Sequence, residues 1–169
     1  GTTLTCKECG TVYELTESGF LKCLNSDTRI NHIPDWYKWE RECVWKELVE
    51  NTYLLDIDVD IYMLVNTKCV YRVGEGHLIH NTDGFALTGC DGQIDYHLKP
   101  QQSYSIYSDF YWYEIGDMIS IGDEKIQYYC FPKNKENVVA KTRLAAEELY
   151  KMYGNNFVNE YLKKQGAME

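Results

Sequence analysis

Long apolar runs are missing from this sequence. No window approaches the roughly 20 consecutive apolar residues that a spanning helix needs, and no stretch has the form of a signal peptide. Basic charge is scarce as well: 17 lysines and arginines stand against 26 aspartates and glutamates, a net charge of −9. The imbalance is concentrated, because Leu55–Phe131 holds twelve acidic side chains against Lys68, Arg72, Lys99 and Lys125 alone. A surface of that sign repels the phosphates of DNA, RNA and anionic headgroups, so nucleic acid is excluded as a partner and membrane contact is at most peripheral. Proline occurs three times and 44% of residues are hydrophobic, the composition of a globular chain. The seven cysteines lack the spacing of a disulfide framework, and an odd number with one C-x2-C points to a reducing cytoplasm and metal ligation. G-x-S-x-G, P-loop, G-x-G-x-x-G and H-E-x-x-H signatures are all absent, and Gly74-Glu75-Gly76 reads as a turn. No catalytic residue is assigned.

What the chain does have is aromatic strand material. Nine of its fifteen tyrosines fall between Tyr62 and Tyr129. From Gly76 to Pro132 the segments HLIHNT, FALTG, QIDYHL, SYSIYS, FYWYEI, MISIG and KIQYYCF read as short strands. Asp83-Gly84, Asp91-Gly92, Gly116-Asp117 and Gly122-Asp123 supply turn dipeptides between them. Upstream, Ile57, Val59 and Ile61 alternate with Asp56, Asp58 and Asp60, a strand with one wet face and the character of an acidic edge that resists pairing. Downstream, Val138, Ala145, Leu149 and Met152 mark an amphipathic helix to about Tyr153, with Gly154 as its stop. The fold class is therefore mainly β with helices, a small antiparallel barrel capped by a C-terminal helix. His77 and His80, three apart on one strand, point to opposite faces. Cys43, Cys69, Cys90 and Cys130 lie in apolar or strand patterns and read as core cysteines.

The first residues carry a different signal. Cys6-x2-Cys9-Gly10 places two thiols on a tight turn with a glycine for positive φ, flanked by short strand-like stretches and the turn Glu17-Ser18-Gly19. This resembles one half of a zinc ribbon. Cys23 and His32 are the candidates to complete a four-ligand structural zinc site, although position 26, where a second C-x2-C would end, is Ser26. Two readings stay open beside it: a first C-x2-C upstream of Thr2, or two reduced cysteines on a plain hairpin turn. The opening Gly1 reads as a cloning remnant on part of a longer chain. After the polar stretch Asn25–Asn31, Pro34, Asp35 and Asn51 delimit a helix with Trp36, Trp39, Cys43, Val44 and Leu48 on one stripe. The expected domains are 1–31, a zinc-ribbon-like hairpin with its linker; 32–51, a Trp-rich amphipathic helix; and 52–169, the barrel with its helix.

The hairpin Gly76-His77-Leu78-Ile79 with Gly84–Gly89, then QIDYHL, MISIGDEKIQYYCFP and VVAKTRLAAEELY, resembles the pleckstrin-homology-like and GRAM-like family. The longer pattern of C-x2-C-G, then H-I-P-D-W-Y-x-W-E-R-E, then acidic strand and barrel ending Y-Y-C-F-P-K, is similar to the C-terminal region of Firmicute proteins described as 1-acylglycerol-3-phosphate acyltransferases. The resemblance implies an upstream catalytic domain bearing His-x4-Asp. None of the four histidines here fits that signature, since Tyr37, Thr82, Phe85 and Gln102 occupy the aspartate position. The chain also departs from headgroup-binding relatives, because its first barrel hairpin offers only Lys99 beside Asp83, Asp91 and Asp95.

The leading expectation is a non-catalytic accessory region of a bacterial, membrane-associated phospholipid-biosynthesis acyltransferase, cytoplasmic or peripheral at the inner membrane face. Its partner is the upstream acyltransferase domain or another protein. The alternative is a stand-alone module that binds a peptide through an aromatic groove. Trp36, Trp39, Tyr107, Tyr111 and Trp112, flanked by Tyr104 and Tyr113, form the candidate interaction surface.

Overall fold

The computed structural model describes residues 2–7, 9–27, 30–66, 69–105, 111–123, 125–133 and 138–164. They are mainly β structure with two α-helices. The chain divides into two compact units, Gly1–Cys43 and Val44–Glu169, and the division falls inside the first helix.

In the first unit, β1 (Thr3–Thr5), β2 (Val12–Leu15) and β3 (Leu21–Cys23) form a three-stranded antiparallel sheet in that order. The β1–β2 turn closes with the Gly10 amide donating to the Cys6 carbonyl at 3.0 Å and the Cys6 amide to the Thr11 carbonyl at 2.8 Å. Gly10 sits at φ 71°, a left-handed conformation that side chains disfavour. Helix α1 (Ile33–Val49) follows, with Pro34 and Asp35 in its first turn and Lys46 in its last. It stops at Asn51, φ 55°, where the Thr52 amide turns back onto the Glu47 carbonyl at 2.8 Å. Trp36 lies edge-on to Tyr13 at 5.1 Å, which fixes the start of α1 to the small sheet. The predicted stripe is not buried as one. Val44 and Leu48 are buried, Trp36 is half-buried, and Trp39 and Cys43 are exposed. Among its described residues the first unit buries only Tyr13 and Leu21 of the large apolar side chains, too small a core to cover a full helical face.

The second unit holds a six-stranded antiparallel sheet. Its strands are β4 (Leu55–Asn66), β5 (Cys69–Asn81), β6 (Gly84–Gly89), β7 (Ile94–Leu98), β10 (Ile119–Gly122) and β11 (Gln127–Pro132). A two-stranded hairpin, β8 (Tyr111–Trp112) with β9 (Gly116–Asp117), lies between β7 and β10 in the chain. The spatial order is β10-β11-β4-β5-β6-β7. The sheet curls into a half-barrel rather than the closed barrel expected. The gap is spanned by side chains: Tyr96 of β7 lies edge-on to Tyr128 of β11 at 5.5 Å, and its hydroxyl donates to Asp123 at 3.4 Å. The acidic strand β4 is central and not an edge, because β11 returns to pair with its far side.

The curl has a local cause. Gly76 of β5 pairs with Gly89 of β6, and a Cβ on Gly89 would stand 2.6 Å from the Glu75 carbonyl oxygen and 2.8 Å from Ile61 Cδ1. Only two facing glycines let these strands approach so closely. A register shift between Ile61 and Tyr62 bends β4 at the same level. Inside the curl, Val59, Ile61, Leu78, Leu87, Ile119 and Ile121 are fully buried, each worth roughly 1.5–3 kcal/mol of transfer free energy.

Helix α2 (Val138–Lys164) packs on β10 and on a 3-10 segment, Pro100–Ser105. That segment replaces the start of the predicted SYSIYS strand, whose residues 106–108 lie outside the described ones. Helix α2 also continues through Gly154, the predicted stop. Gly154 is buried in helical conformation against the Tyr150 ring, and ten further residues of helix outweigh its cost of about 1 kcal/mol.

Candidate functional site

The wet face of β4 and its partner β5 carries the densest chemistry in the second unit. Asp58 pairs directly opposite His77 in the ladder. The His77 ring lies between two carboxylates, Nε2 at 2.9 Å from Asp56 Oδ1 and Nδ1 at 3.1 Å from Asp58 Oδ1. Both ring nitrogens can donate together only as imidazolium. Farther along, Arg72 donates to Asp60 at 2.7 Å and to Glu75 at 2.9 Å, while Lys133 reaches Glu75 at 2.7 Å and Asp60 at 3.6 Å. The Lys133 ammonium and then Arg72 hold the Glu75 carboxyl below its ordinary range, and Glu75 in turn raises Lys133. These groups border an open groove of about 550 Å³, lined by Asp58, Glu75, His77, Thr88, Asp91 and Lys133 over a floor of Gly76 and Gly89.

One wall is a tight turn, Cys90–Gly92, in which all three residues have positive φ, 53°, 54° and 84°. Two of them carry side chains, and each such residue costs roughly 1–2 kcal/mol in this conformation. Cys90 Sγ fits against Gly74, where a Cβ would come within 2.7 Å of the sulfur. The groove is thus an anionic slot with rigid walls. Its lysine is already paired with two carboxylates, so the arrangement favours a cationic ligand over a phosphate.

Sequence reasoning missed this grouping. The aspartates at spacing two gave the wet face, but Arg72, Glu75, His77 and Lys133 join them only through the β4–β5 and β4–β11 registers. His77 and His80 do point to opposite faces. His80 is buried, stacked on Phe85 at 3.7 Å, with Nδ1 3.0 Å from the Tyr53 hydroxyl. Burial pushes its pKa down to about 3, which keeps the ring neutral near pH 7. Burial likewise pushes the Tyr53 hydroxyl upward, against the lowering effect of its bond to Thr142 on α2. The three form a sealed polar link between sheet and helix, closed to substrate. Of the predicted core cysteines, Cys130 is buried, Cys90 is intermediate, and Cys43 and Cys69 are exposed.

In the first unit, Cys6 and Cys9 come together: the Cys9 thiol lies within hydrogen-bonding reach of Cys6 and 3.1 Å from Thr11 Oγ1. The Thr11 hydroxyl and amide, then Cys6, lower the Cys9 pKa. Cys23 instead faces Ser26, with Sγ 3.1 Å from Oγ. His32 forms a β-bridge with Phe20, lies tilted against its ring at 4.5 Å and places Nδ1 3.2 Å from Asp35. Among the described residues no group of three or more His, Cys, Asp or Glu side chains is placed to hold a metal ion. Of the expected ligands Cys6, Cys9, Cys23 and His32, the first two share one turn, and Asn25 beside Cys23 donates to the Gly10 carbonyl of that turn at 2.9 Å.

The candidate interaction residues fall in separate places. Trp36 is half-buried, its Nε1 donating to Glu40 at 2.9 Å, while Trp39 is exposed beside it. On the β8–β9 hairpin Tyr111 is 62% exposed and Tyr113 87%, with Trp112 intermediate. Tyr107 and the Tyr104 side chain lie outside the described residues. No described helix is long and apolar enough to cross a membrane. No family model matches the chain, and no curated protein or solved structure shows significant similarity to it.

Proposed function

We propose that this chain is a non-catalytic accessory region that docks a partner polypeptide in the acidic groove of a pleckstrin-homology-like half-barrel. The observation that carries the reading is the groove itself. Asp58, Glu75 and Asp91 line a preformed slot in which Glu75 is paired with Lys133, so Asp58 and Asp91 carry its excess negative charge. The arrangement of a curled antiparallel sheet followed by a C-terminal helix supports the pleckstrin-homology-like assignment, and the three-stranded sheet with its Cys6–Gly10 turn supports a zinc-ribbon-like origin for the first unit. A phosphate-reading relative needs cations at this surface, and here the sign is inverted.

The sequence resemblance points to the host: a bacterial lysophospholipid acyltransferase whose catalytic domain precedes this region at the cytoplasmic membrane face. In that setting the partner is the catalytic domain or a protein bound to it. Reading the coding sequence upstream of Gly1 tests the assignment. A hydrophobic domain with His-x4-Asp is expected there, and a start codon beside Thr2 overturns it.

A second reading rests on the β8–β9 hairpin. The exposure of Tyr111, Tyr113 and Ile115 on one short hairpin is an aromatic surface suited to an extended peptide. Substituting Tyr111 and Tyr113 by serine should then abolish partner binding while leaving the groove intact.

A further inference from the structure

The two longest strands of the second unit outrun their neighbours. β4 and β5, 12 and 13 residues long, pair with each other from Leu55 opposite His80 to Asn66 opposite Cys69. β11 covers β4 only from Val59 to Met63, and β6 covers β5 only from Gly76 to Asn81. Beyond Gly89 the chain leaves β6 through the Cys90–Gly92 turn, whose Cys90 sulfur fits against Gly74. Among the described residues no strand pairs with the outer side of β5 from Cys69 to Val73. A strand edge of this kind presents unpaired amides and carbonyls, a template for another extended chain.

Proteins ordinarily guard such edges with proline, lysine or another charge. This one reads Cys69-Val70-Tyr71-Arg72-Val73, β-branched and aromatic residues around a single charge. Arg72 is a weak guard, because it is held by Asp60 at 2.7 Å and Glu75 at 2.9 Å. Tyr71 is 64% exposed, and Leu64, which faces Val70 across the ladder, 43%. The open edge lies on the same side of β5 as β6. A strand laid along it therefore ends at the Cys90–Gly92 turn, where Asp91 borders the acidic groove.

We propose that the Cys69–Val73 edge of β5 takes up an extended segment of the partner polypeptide as an added strand, with a lysine or arginine at the end that meets Asp91. The proposal rests on the acidic groove as the partner's docking site and adds how the partner is held. Main-chain hydrogen bonds supply affinity, and alternate side chains against Tyr71 supply selectivity. The basic residue against Asp91 fixes the direction and register of the strand.

Short random peptides displayed on phage and selected on the immobilised chain supply the probe. The enriched sequences should alternate β-branched or aromatic residues with polar ones and carry a basic residue at one end. A synthetic copy of one should slow hydrogen exchange of amides within Cys69–Val73 and nowhere else on the sheet edges. N-methylation of its amides along one edge should abolish binding, while methylation along the other edge leaves it. Tyr71→Lys should weaken binding by about tenfold or more, with an unchanged exchange pattern elsewhere to show that the variant folds. Peptides whose binding falls in Asp58→Asn with Asp91→Asn, yet which leave Cys69–Val73 exchanging as in the free protein, overturn the added strand and keep the groove reading. Protection of Cys69–Val73 with full affinity in that double variant supports the strand and contradicts the groove reading. Failure to enrich any peptide overturns the proposal.

Discussion

His80 carries the clearest consequence at the scale of single residues. Its folded pKa is about 3, and an unfolded histidine titrates near 6.5, so between those values the unfolded chain holds one more proton. Stability contributed by the neutral ring is therefore complete above about pH 6.5 and is lost as pH falls toward 3, on the order of 4 kcal/mol across the window. Urea unfolding at pH 7 and pH 4 should show this loss. His80→Phe should flatten it, while costing about 1 kcal/mol at pH 7 by removing one of the two partners, His80 and Thr142, of the buried Tyr53 hydroxyl. A variant with unchanged pH dependence would contradict the assignment. The spacing of His77 and His80 was enough to place them on opposite faces. Which of the two is buried follows from where Phe85 and Tyr53 stand, and a strand pattern does not encode that.

Among the elements, β5 and β6 depend on glycine in a way that a helix does not. Gly89→Ala pushes a methyl into the Glu75 carbonyl and the Gly76 Cα, backbone atoms of the paired strand, and should destabilise by about 1–3 kcal/mol. Gly154→Ala meets only the Tyr150 ring, at 3.3 Å, and gains helix propensity, so it should be near neutral or mildly stabilising. Equilibrium unfolding of the two variants compares them directly. Turn chemistry made Asp83-Gly84 and Gly122-Asp123 legible: the first ends the β5–β6 hairpin, and Asp123 accepts from the Lys125 and Ile126 amides at the head of β11. The position of β4 was not legible, because local pattern carries nothing about β11 crossing back to its far side. Gly154 misled for a related reason. A glycine ends a helix only where the chain turns left-handed, and here the backbone stays helical.

For the molecule as a whole, charge was the most informative quantity in the sequence, and the groove gives it a location. Asp58 lies on β4 and Asp91 in the turn that follows β6, and the two line one groove only once the half-barrel is built, so the sign of the surface could be read in advance but its shape could not. The first consequence concerns membranes. Co-sedimentation with phosphatidylcholine vesicles should not increase when anionic phosphatidylglycerol is added, and a rise with anionic fraction would mean that cations outside the groove govern binding. The second concerns the partner. On the proposed function, an acyltransferase catalytic domain of the kind proposed as host, expressed separately, should bind this chain with an affinity that falls as salt rises, because charges across an interface are screened. The decisive measurement is that affinity by calorimetry for the wild-type chain and for the double variant Asp58→Asn with Asp91→Asn. Binding weakened tenfold or more in the variant, about 1.4 kcal/mol or more, is the result predicted for docking in the acidic groove. Equal affinity of the two proteins, or no binding at all, would contradict it.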